Sequence, residues 1–187
     1  MKTASIALAA VLVGAPASAG RLAGVTLPDQ VTAAGHTLVL NGLGLREKLM
    51  FDVYVAGLYL EAKTSDPAVI LKPDRAKQLV MHFSRTVGKE RLTEGFTEGF
   101  DYNAGDMRQA VAPGLSALNA AMVDMKKDEV LTFTYQPGTG VAVTVNGNEL
   151  AVIPGEDFQR ALFSVWLGPH PPTPSLREGL LGLAPAR

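Results

Sequence analysis

An apolar stretch at residues 36–61, HTLVLNGLGLREKLMFDVYVAGLYLE, most constrains what this chain can fold into. Residues 37–45 and 50–60 are rich in Val, Leu and Tyr, which favour a half-buried pleated surface, so they predict two long strands. Arg46, Glu47 and Lys48 lie between them and carry the only dense charge of the stretch. The pattern therefore predicts a long apolar hairpin with an arginine in its turn.

The rest of the chain alternates between strand-like and helix-like patterns. Further strands are predicted at residues 25–31, 77–84, 129–135, 141–145 and 149–153. Helices are predicted at residues 65–72, 87–100 and 175–181, at 104–125 with a kink or break at Pro113, and before Gly168. The long connections needed for repeated βαβ units are absent, so the order predicts an α+β fold with an antiparallel sheet.

Length and composition exclude several classes of protein. The chain has 187 residues, which suits one domain, here residues 20–187, and its formal net charge of −1 argues against a nucleic-acid surface. It has no cysteine, so disulfides, thiolate zinc sites and thiol nucleophiles are excluded. The three histidines lack metal-ligand spacing, and nucleophile-elbow and dinucleotide motifs are missing. No cofactor and no metal site are predicted.

Residues 1–19 resemble a cleaved secretory signal peptide. Lys2 supplies the positive start, residues 6–13 the apolar segment and Ala17-Ser18-Ala19 the small-residue cleavage site, with the cut before Gly20. The alternative is a membrane anchor, but the apolar run is too short to cross ~30 Å of hydrocarbon. We therefore expect an exported, periplasmic mature protein without a stable membrane span.

Three segments together resemble the chalcone isomerase-like family: NGLGLR followed by DVYVAGLYLE, then HFSRTV, then IPGEDFQRALFSVWLGPHPPTPSLREGLLG. The resemblance covers roughly residues 25–182. It implies an open-faced β-sandwich, with a large antiparallel sheet and a layer of helices around an apolar cleft. Plant chalcone isomerases of this family close a chalcone into a flavanone without a cofactor, whereas other members bind fatty acids and catalyse nothing.

The resemblance also implies two principal site residues. Arg46 matches the arginine that holds the reacting oxyanion in the isomerases and the carboxylate in the fatty-acid binders, and its guanidinium suits either group. The alternative is a turn arginine paired with Glu47 or Asp52. Tyr54 falls where the isomerases use a threonine, a departure that favours carboxylate binding by a phenol. The alternative for Tyr54 is a tyrosine of the core or of an edge strand. Tyr59 has the opposite strand parity and serves as a control.

Other polar residues are weaker candidates. Tyr102 and Asn103 lie in the region where the isomerases carry a helical tyrosine and asparagine, although the spacing differs. Asn119 is a further candidate, and Ser164 could reach the polar end of the cleft. For these residues a local cap or surface role is the alternative. Arg85 resembles a recurrent family arginine, for which an ion pair with the next helix is expected.

Three functions remain open from the sequence. The first is binding of a small amphipathic carboxylic acid, such as a fatty acid, with Arg46 and Tyr54 on its carboxylate. The second is a cofactor-independent intramolecular lyase of the chalcone isomerase type, in which Arg46 and Tyr54 would be catalytic. The third is a non-catalytic structural or partner-binding envelope protein. The sequence leaves the oligomeric state open.

Overall fold

The computed structural model describes residues 19–183, so most of the predicted signal peptide, residues 1–18, lies outside the described residues. Nine strands and five α-helices make up the described chain. The strands are β1 (Ala19–Leu22), β2 (Val25–Pro28), β3 (Gln30–Ala33), β4 (His36–Lys48), β5 (Phe51–Leu60), β6 (Lys77–Phe83), β7 (Val130–Gln136), β8 (Gly140–Val145) and β9 (Asn148–Ile153). The helices are α1 (Pro67–Ile70), α2 (Lys89–Asn103), α3 (Ala112–Ala121), α4 (Glu156–Leu167) and α5 (Pro174–Leu180), with a 3₁₀ turn at Gly105–Met107.

Seven of these strands, β3 to β9, form one sheet in which each strand pairs antiparallel with its neighbour in sequence. The remaining strands, β1 and β2, form a separate hairpin. The two long strands of the organising hairpin, β4 and β5, lie near one edge of the sheet. The predicted α+β fold with a large antiparallel sheet and a helical layer is confirmed.

Two apolar clusters cover the two faces of the sheet. The larger cluster joins one face to the helices, and its fully buried members include Phe83, Phe100, Phe133, Phe163 and Trp166. A smaller cluster on the other face packs β2 against the sheet and includes Leu27, Leu38, Val55, Tyr59 and Val80. The alternation of side chains along β5 thus sends one set of residues to the helices and the other to the β1–β2 hairpin.

Glycines in β4 let helix α5 lie directly against the sheet. A methyl group at Gly42 would collide with the carbonyl oxygen of Gly179, and one at Gly44 would collide with the carbonyl oxygen of Leu176. The backbone contact is reinforced by Asn41, whose side-chain amide donates to the Leu180 carbonyl over 2.8 Å. Because both glycines precede Arg46 at two-residue spacing, α5 covers the face of β4 on which Arg46 lies.

The structure corrects several predicted boundaries. Arg46, Glu47 and Lys48 are not a turn; they continue β4, and the turn is Leu49-Met50. The predicted helix 104–125 is a 3₁₀ turn followed by α3, and Pro113 lies in the first turn of α3 rather than at a kink, because proline is accommodated there. The predicted strand 25–31 divides into β2 and β3 at Asp29, and β1 was not predicted because its residues adjoin the signal sequence.

Candidate functional site

Arg46 and Tyr54 are directly opposite each other on β4 and β5. Directly opposed residues of an antiparallel pair project to the same face of the sheet. Tyr54 belongs to the cluster beneath the helices, so Arg46 lies on that face too. A bulge follows at once, because Glu47 pairs with Asp52 and leaves Val53 without a partner on β4. The structure therefore brings the two principal candidates together at an irregular end of the hairpin, a common place for bulges that aim a side chain.

The Tyr54 hydroxyl is held by the only tryptophan of the chain. The indole Nε1 of Trp166, on α4, donates a hydrogen bond to it over 3.0 Å, and both side chains are buried. Burial raises the pKa of Tyr54 to about 12, although the Trp166 hydrogen bond and the charge of Arg46 both oppose the shift. The hydroxyl thus stays protonated and, having accepted one hydrogen bond, can still donate its own proton.

Aromatic rings pack against both Tyr54 and Trp166. The centroid of the Tyr54 ring is 5.7 Å from that of Phe83, and Trp166 lies 5.8 Å from Phe133 and 6.2 Å from Phe96. These rings are buried between the sheet and helices α2 and α4. They pack the space around these two side chains, so an acyl chain could enter here only if some of the rings moved.

Arg46 is only partly buried, and its guanidinium is engaged locally. Its Nη1 donates to the backbone carbonyl of Glu47 over 2.6 Å. Within residues 19–183 it forms no ion pair with Glu47 or Asp52, so the alternative of a turn ion pair is wrong. The charge is therefore not neutralised by a described carboxylate, which leaves it suited to an anionic ligand.

Tyr59 lies on the opposite face, as its parity predicts. It packs in the cluster under the β1–β2 hairpin and donates a hydrogen bond to the Pro28 carbonyl over 2.8 Å. Its pKa is raised, chiefly by burial and secondarily by the charge of Asp29. Pairing of β5 with β6 is continuous from Tyr54 to Leu60, so no bulge brings Tyr59 round to Tyr54.

The weaker candidates make local contacts. Tyr102 is 67% exposed, and its ring centroid lies 6.1 Å from that of His170. Asn103 bridges α2 to the loop after α4: its amide donates to the carbonyls of Gly99 and His170, and its oxygen accepts from the His170 backbone. The Asn103 side chain thus links the end of α2 to the loop after α4.

Asn119 and Ser164 are also held by neighbouring groups. The Asn119 amide donates to the Thr97 hydroxyl over 3.2 Å, while its oxygen is buried without a partner among the described residues. Ser164 is buried, and its hydroxyl donates to the Ala161 carbonyl one turn earlier in α4. Among the described residues, neither residue forms a hydrogen bond with Arg46 or Tyr54.

The most unusual polar residue of the core was not a candidate. Lys77, at the start of β6, is fully buried; its ammonium donates to the Lys72 carbonyl and to the Gln159 side chain. It also lies 4.8 Å from the centroid of the Tyr135 ring. Burial lowers the pKa of Lys77 to about 8. A lysine at a strand end carries no sequence signal of burial, since most are solvated.

Arg85 also differs from expectation. Instead of the ion pair predicted with the next helix, its guanidinium lies over the Phe51 ring, 4.6 Å from the centroid. Among the described residues it forms no salt bridge. The interaction is of the cation–π kind, which arginine makes readily because its planar group stacks on aromatic faces.

Two surface pockets lie on the side of the sheet away from the helices. One, of about 520 Å³, is lined by the β1–β2 turn and by Asp52, His82, Ser84 and Lys127. The other, of about 470 Å³, is lined by threonines and Gln78 of the central strands. The lining of the first is largely polar and that of the second is mixed, and neither includes Arg46 or Tyr54.

A sequence model of the family described as chalcone isomerase-like matches residues 19–182. The chain belongs to the chalcone isomerase-like family. Among solved structures it is similar to the Arabidopsis thaliana fatty-acid binding protein AtFAP1, with a TM-score of 0.63 and 16% sequence identity over 84% of this chain and 92% of that one. No curated protein matches the chain. The likeness to AtFAP1 shows that this member has the same fold.

Within residues 19–183, no helix combines the length and apolar character that crossing a membrane would require.

Proposed function

We propose that this chalcone isomerase-like protein binds a small amphipathic carboxylic acid of the fatty-acid kind, with the carboxylate held by Arg46 and Tyr54. The observation that carries the proposal is the pairing of these two residues on one face of the β4–β5 hairpin. The guanidinium supplies charge-assisted hydrogen bonds, and the neutral phenol supplies a further donor. A related fold in a fatty-acid binding protein, AtFAP1, supports the ligand class.

The two groups are suited to their roles at neutral pH. With a pKa of about 12, Tyr54 remains a donor rather than a competing anion. The hydrogen bond from Trp166 holds the hydroxyl oxygen, which restricts the directions in which the hydroxyl proton can point. Arg46 would exchange its bond to the Glu47 carbonyl for stronger bonds to a carboxylate.

The acyl tail would lie between the sheet and the helices, where the rings around Trp166 must rearrange to admit it. Binding should therefore change the fluorescence of Trp166, the only tryptophan of the chain. Each added CH₂ contributes about 0.8 kcal/mol, so affinity should rise about fourfold per methylene until the space is filled.

The test is a fluorescence titration with saturated fatty acids of increasing chain length. Arg46→Gln and Tyr54→Phe should each weaken binding ~10- to 100-fold, the range expected for hydrogen bonds to a charged group. Arg91→Gln, which removes an exposed arginine from α2, and Tyr59→Phe, on the other face, should bind as the wild type does. Equal affinities across chain lengths, or full binding by Arg46→Gln, would refute the proposal.

A second candidate is a non-catalytic structural or partner-binding role. The observation that favours it is the aromatic packing beside Tyr54, which fills the space that we propose for the acyl tail. This candidate predicts that the titration gives no change in Trp166 fluorescence with any acid. The lyase alternative is tested by incubation with a chalcone. It predicts that the wild type forms flavanone faster than the reaction in buffer alone, and that Arg46→Gln forms it only at the rate seen in buffer.

We also propose that the chain is exported to the periplasm. Cleavage before Gly20 would leave three of the four β1 residues. Gly20 lies close to the side chain of Leu40, since a Cβ added to Gly20 would be only 2.6 Å from it. The new terminus would therefore remain part of the β1–β2 hairpin. Cell fractionation with intact-mass measurement should find a periplasmic protein that begins at Gly20; a cytoplasmic protein that retains Met1 would contradict the proposal.

A further inference from the structure

The β4–β5 hairpin ends in three consecutive exposed apolar side chains. Leu49, Met50 and Phe51, here called the apolar tip, are 82%, 96% and 57% exposed. Single exposed apolar residues are common on soluble proteins and need no explanation. A contiguous group with charged neighbours is different, since such patches mark interaction sites.

The turn of the apolar tip carries a side chain at both of its positive-φ positions, unlike the other two-residue hairpin turns of the described chain. Four two-residue turns with positive φ at both positions connect paired strands, and three of them end in Gly24, Gly35 and Gly147. The fourth is Leu49-Met50, with φ of 51° and 64°. Turns of this type favour Asn-Gly, because a Cβ is disfavoured at positive φ. Strain retained at one turn points to a use for the side chains there.

Basic side chains surround the apolar tip on one side. Lys48 is exposed and pairs with Phe51, and the guanidinium of Arg85 stacks on the Phe51 ring. The acidic residues Glu47 and Asp52 form the next strand pair away from the turn. By strand alternation their side chains project to the face opposite that of Lys48 and Phe51. One side of the hairpin end therefore combines apolar and cationic groups.

The shape of the apolar tip favours one kind of partner. A stable protein interface buries about 800 Å² on each side, whereas three side chains expose only a few hundred square ångströms. A convex turn also lacks the groove into which a partner helix or strand would fit. A lipid surface needs neither property, because a few apolar side chains can enter the headgroup boundary while adjacent cations contact anionic headgroups.

We propose that the apolar tip docks this protein on the surface of an anionic phospholipid bilayer. Leu49 and Met50 enter the boundary between headgroups and acyl chains, and Lys48 and Arg85 contact lipid phosphates. The docking is peripheral and reversible, since it involves few side chains. It does not depend on whether Arg46 and Tyr54 bind a carboxylate, although it would place that end of the hairpin beside a source of acyl chains.

The test is flotation with phosphatidylcholine vesicles that contain, or lack, one third phosphatidylglycerol. The key variant is Leu49→Asn/Met50→Gly, which removes the apolar side chains and installs the residues that this turn prefers. It should bind anionic vesicles at least ~10-fold less than the wild type, while its unfolding midpoint rises. A raised unfolding midpoint would show that the loss of binding is not caused by misfolding.

Two further variants sharpen the test. Arg85→Gln should weaken binding to the anionic vesicles only, since it removes a charge and leaves the two turn residues in place. Val152→Thr, which removes an exposed apolar side chain from edge strand β9, should bind as the wild type does. The proposal is overturned if the wild type does not float with anionic vesicles or if Leu49→Asn/Met50→Gly floats equally well. It is also overturned if the variant instead abolishes a concentration-dependent dimer.

Discussion

Replacement of Tyr54 by phenylalanine removes one oxygen atom and leaves the aromatic packing intact. The lost oxygen is the acceptor of the Trp166 Nε1 hydrogen bond, and both residues are buried. A buried donor that loses its partner costs about 1–3 kcal/mol of stability. Part of this cost is offset, because the phenylalanine carries no hydroxyl to desolvate. We therefore expect the free energy of unfolding to fall by about 1–2 kcal/mol, and the midpoint temperature to fall by roughly 2–8 °C for a domain of this size.

Urea denaturation followed by circular dichroism and by Trp166 fluorescence measures this change. The matched control is Tyr59→Phe, which removes the hydroxyl that donates to Pro28 on the other face and should leave Trp166 emission unchanged before unfolding. A double-mutant cycle of Tyr54→Phe with Trp166→Phe should give a coupling of about 0.5–1.5 kcal/mol. A coupling of zero, or a Tyr54→Phe protein as stable as the wild type, would refute the hydrogen-bonded arrangement of the site.

Three other predictions concern the framework. Gly44→Ala should lower the free energy of unfolding by about 1–3 kcal/mol in urea denaturation, because the added methyl group meets the backbone of α5. Its control is Gly95→Ala on α2, where the added methyl group has open space and should raise the free energy of unfolding by about 0.5–1 kcal/mol. Leu49→Asn/Met50→Gly should raise the free energy of unfolding by about 1 kcal/mol through relief of positive-φ strain. A free energy of unfolding below that of the wild type would contradict the strained turn. With a folded pKa of about 8, below its unfolded value of 10.5, Lys77 binds fewer protons in the folded state, so stability should rise from about pH 8 to 10, and Lys77→Met should abolish that rise.

The hairpin was predictable because its residues carry strong local signals. Alternation along β5 predicts that Tyr54 and Tyr59 face opposite ways, and the structure places them in the two separate clusters. The paired glycines and the arginine of β4 were recognisable as a family pattern. The order of strands and helices predicts the α+β fold, since apolar residues recur at the spacing of a strand or of a helix in these segments.

Other features could not be read from the sequence, because they depend on contacts between distant segments. Leu49-Met50 contains no residue typical of turns, so the sequence pattern places the turn at the charged tripeptide before it. The partner of Tyr54 lies 112 residues away on α4, and burial of Lys77 depends on Gln159, 82 residues away. Arg85 was expected to pair with a carboxylate and instead stacks on the ring of Phe51.

The measurement that tests the central claim most directly is a ¹³C NMR titration with a fatty acid labelled at its carboxyl carbon. The Arg46 guanidinium should keep the bound carboxylate ionised to lower pH than the free acid. We predict a bound carboxyl resonance that shifts in Arg46→Gln and Tyr54→Phe and is unchanged in Tyr59→Phe. A bound resonance that neither Arg46→Gln nor Tyr54→Phe alters would place the carboxylate elsewhere and contradict the proposed function.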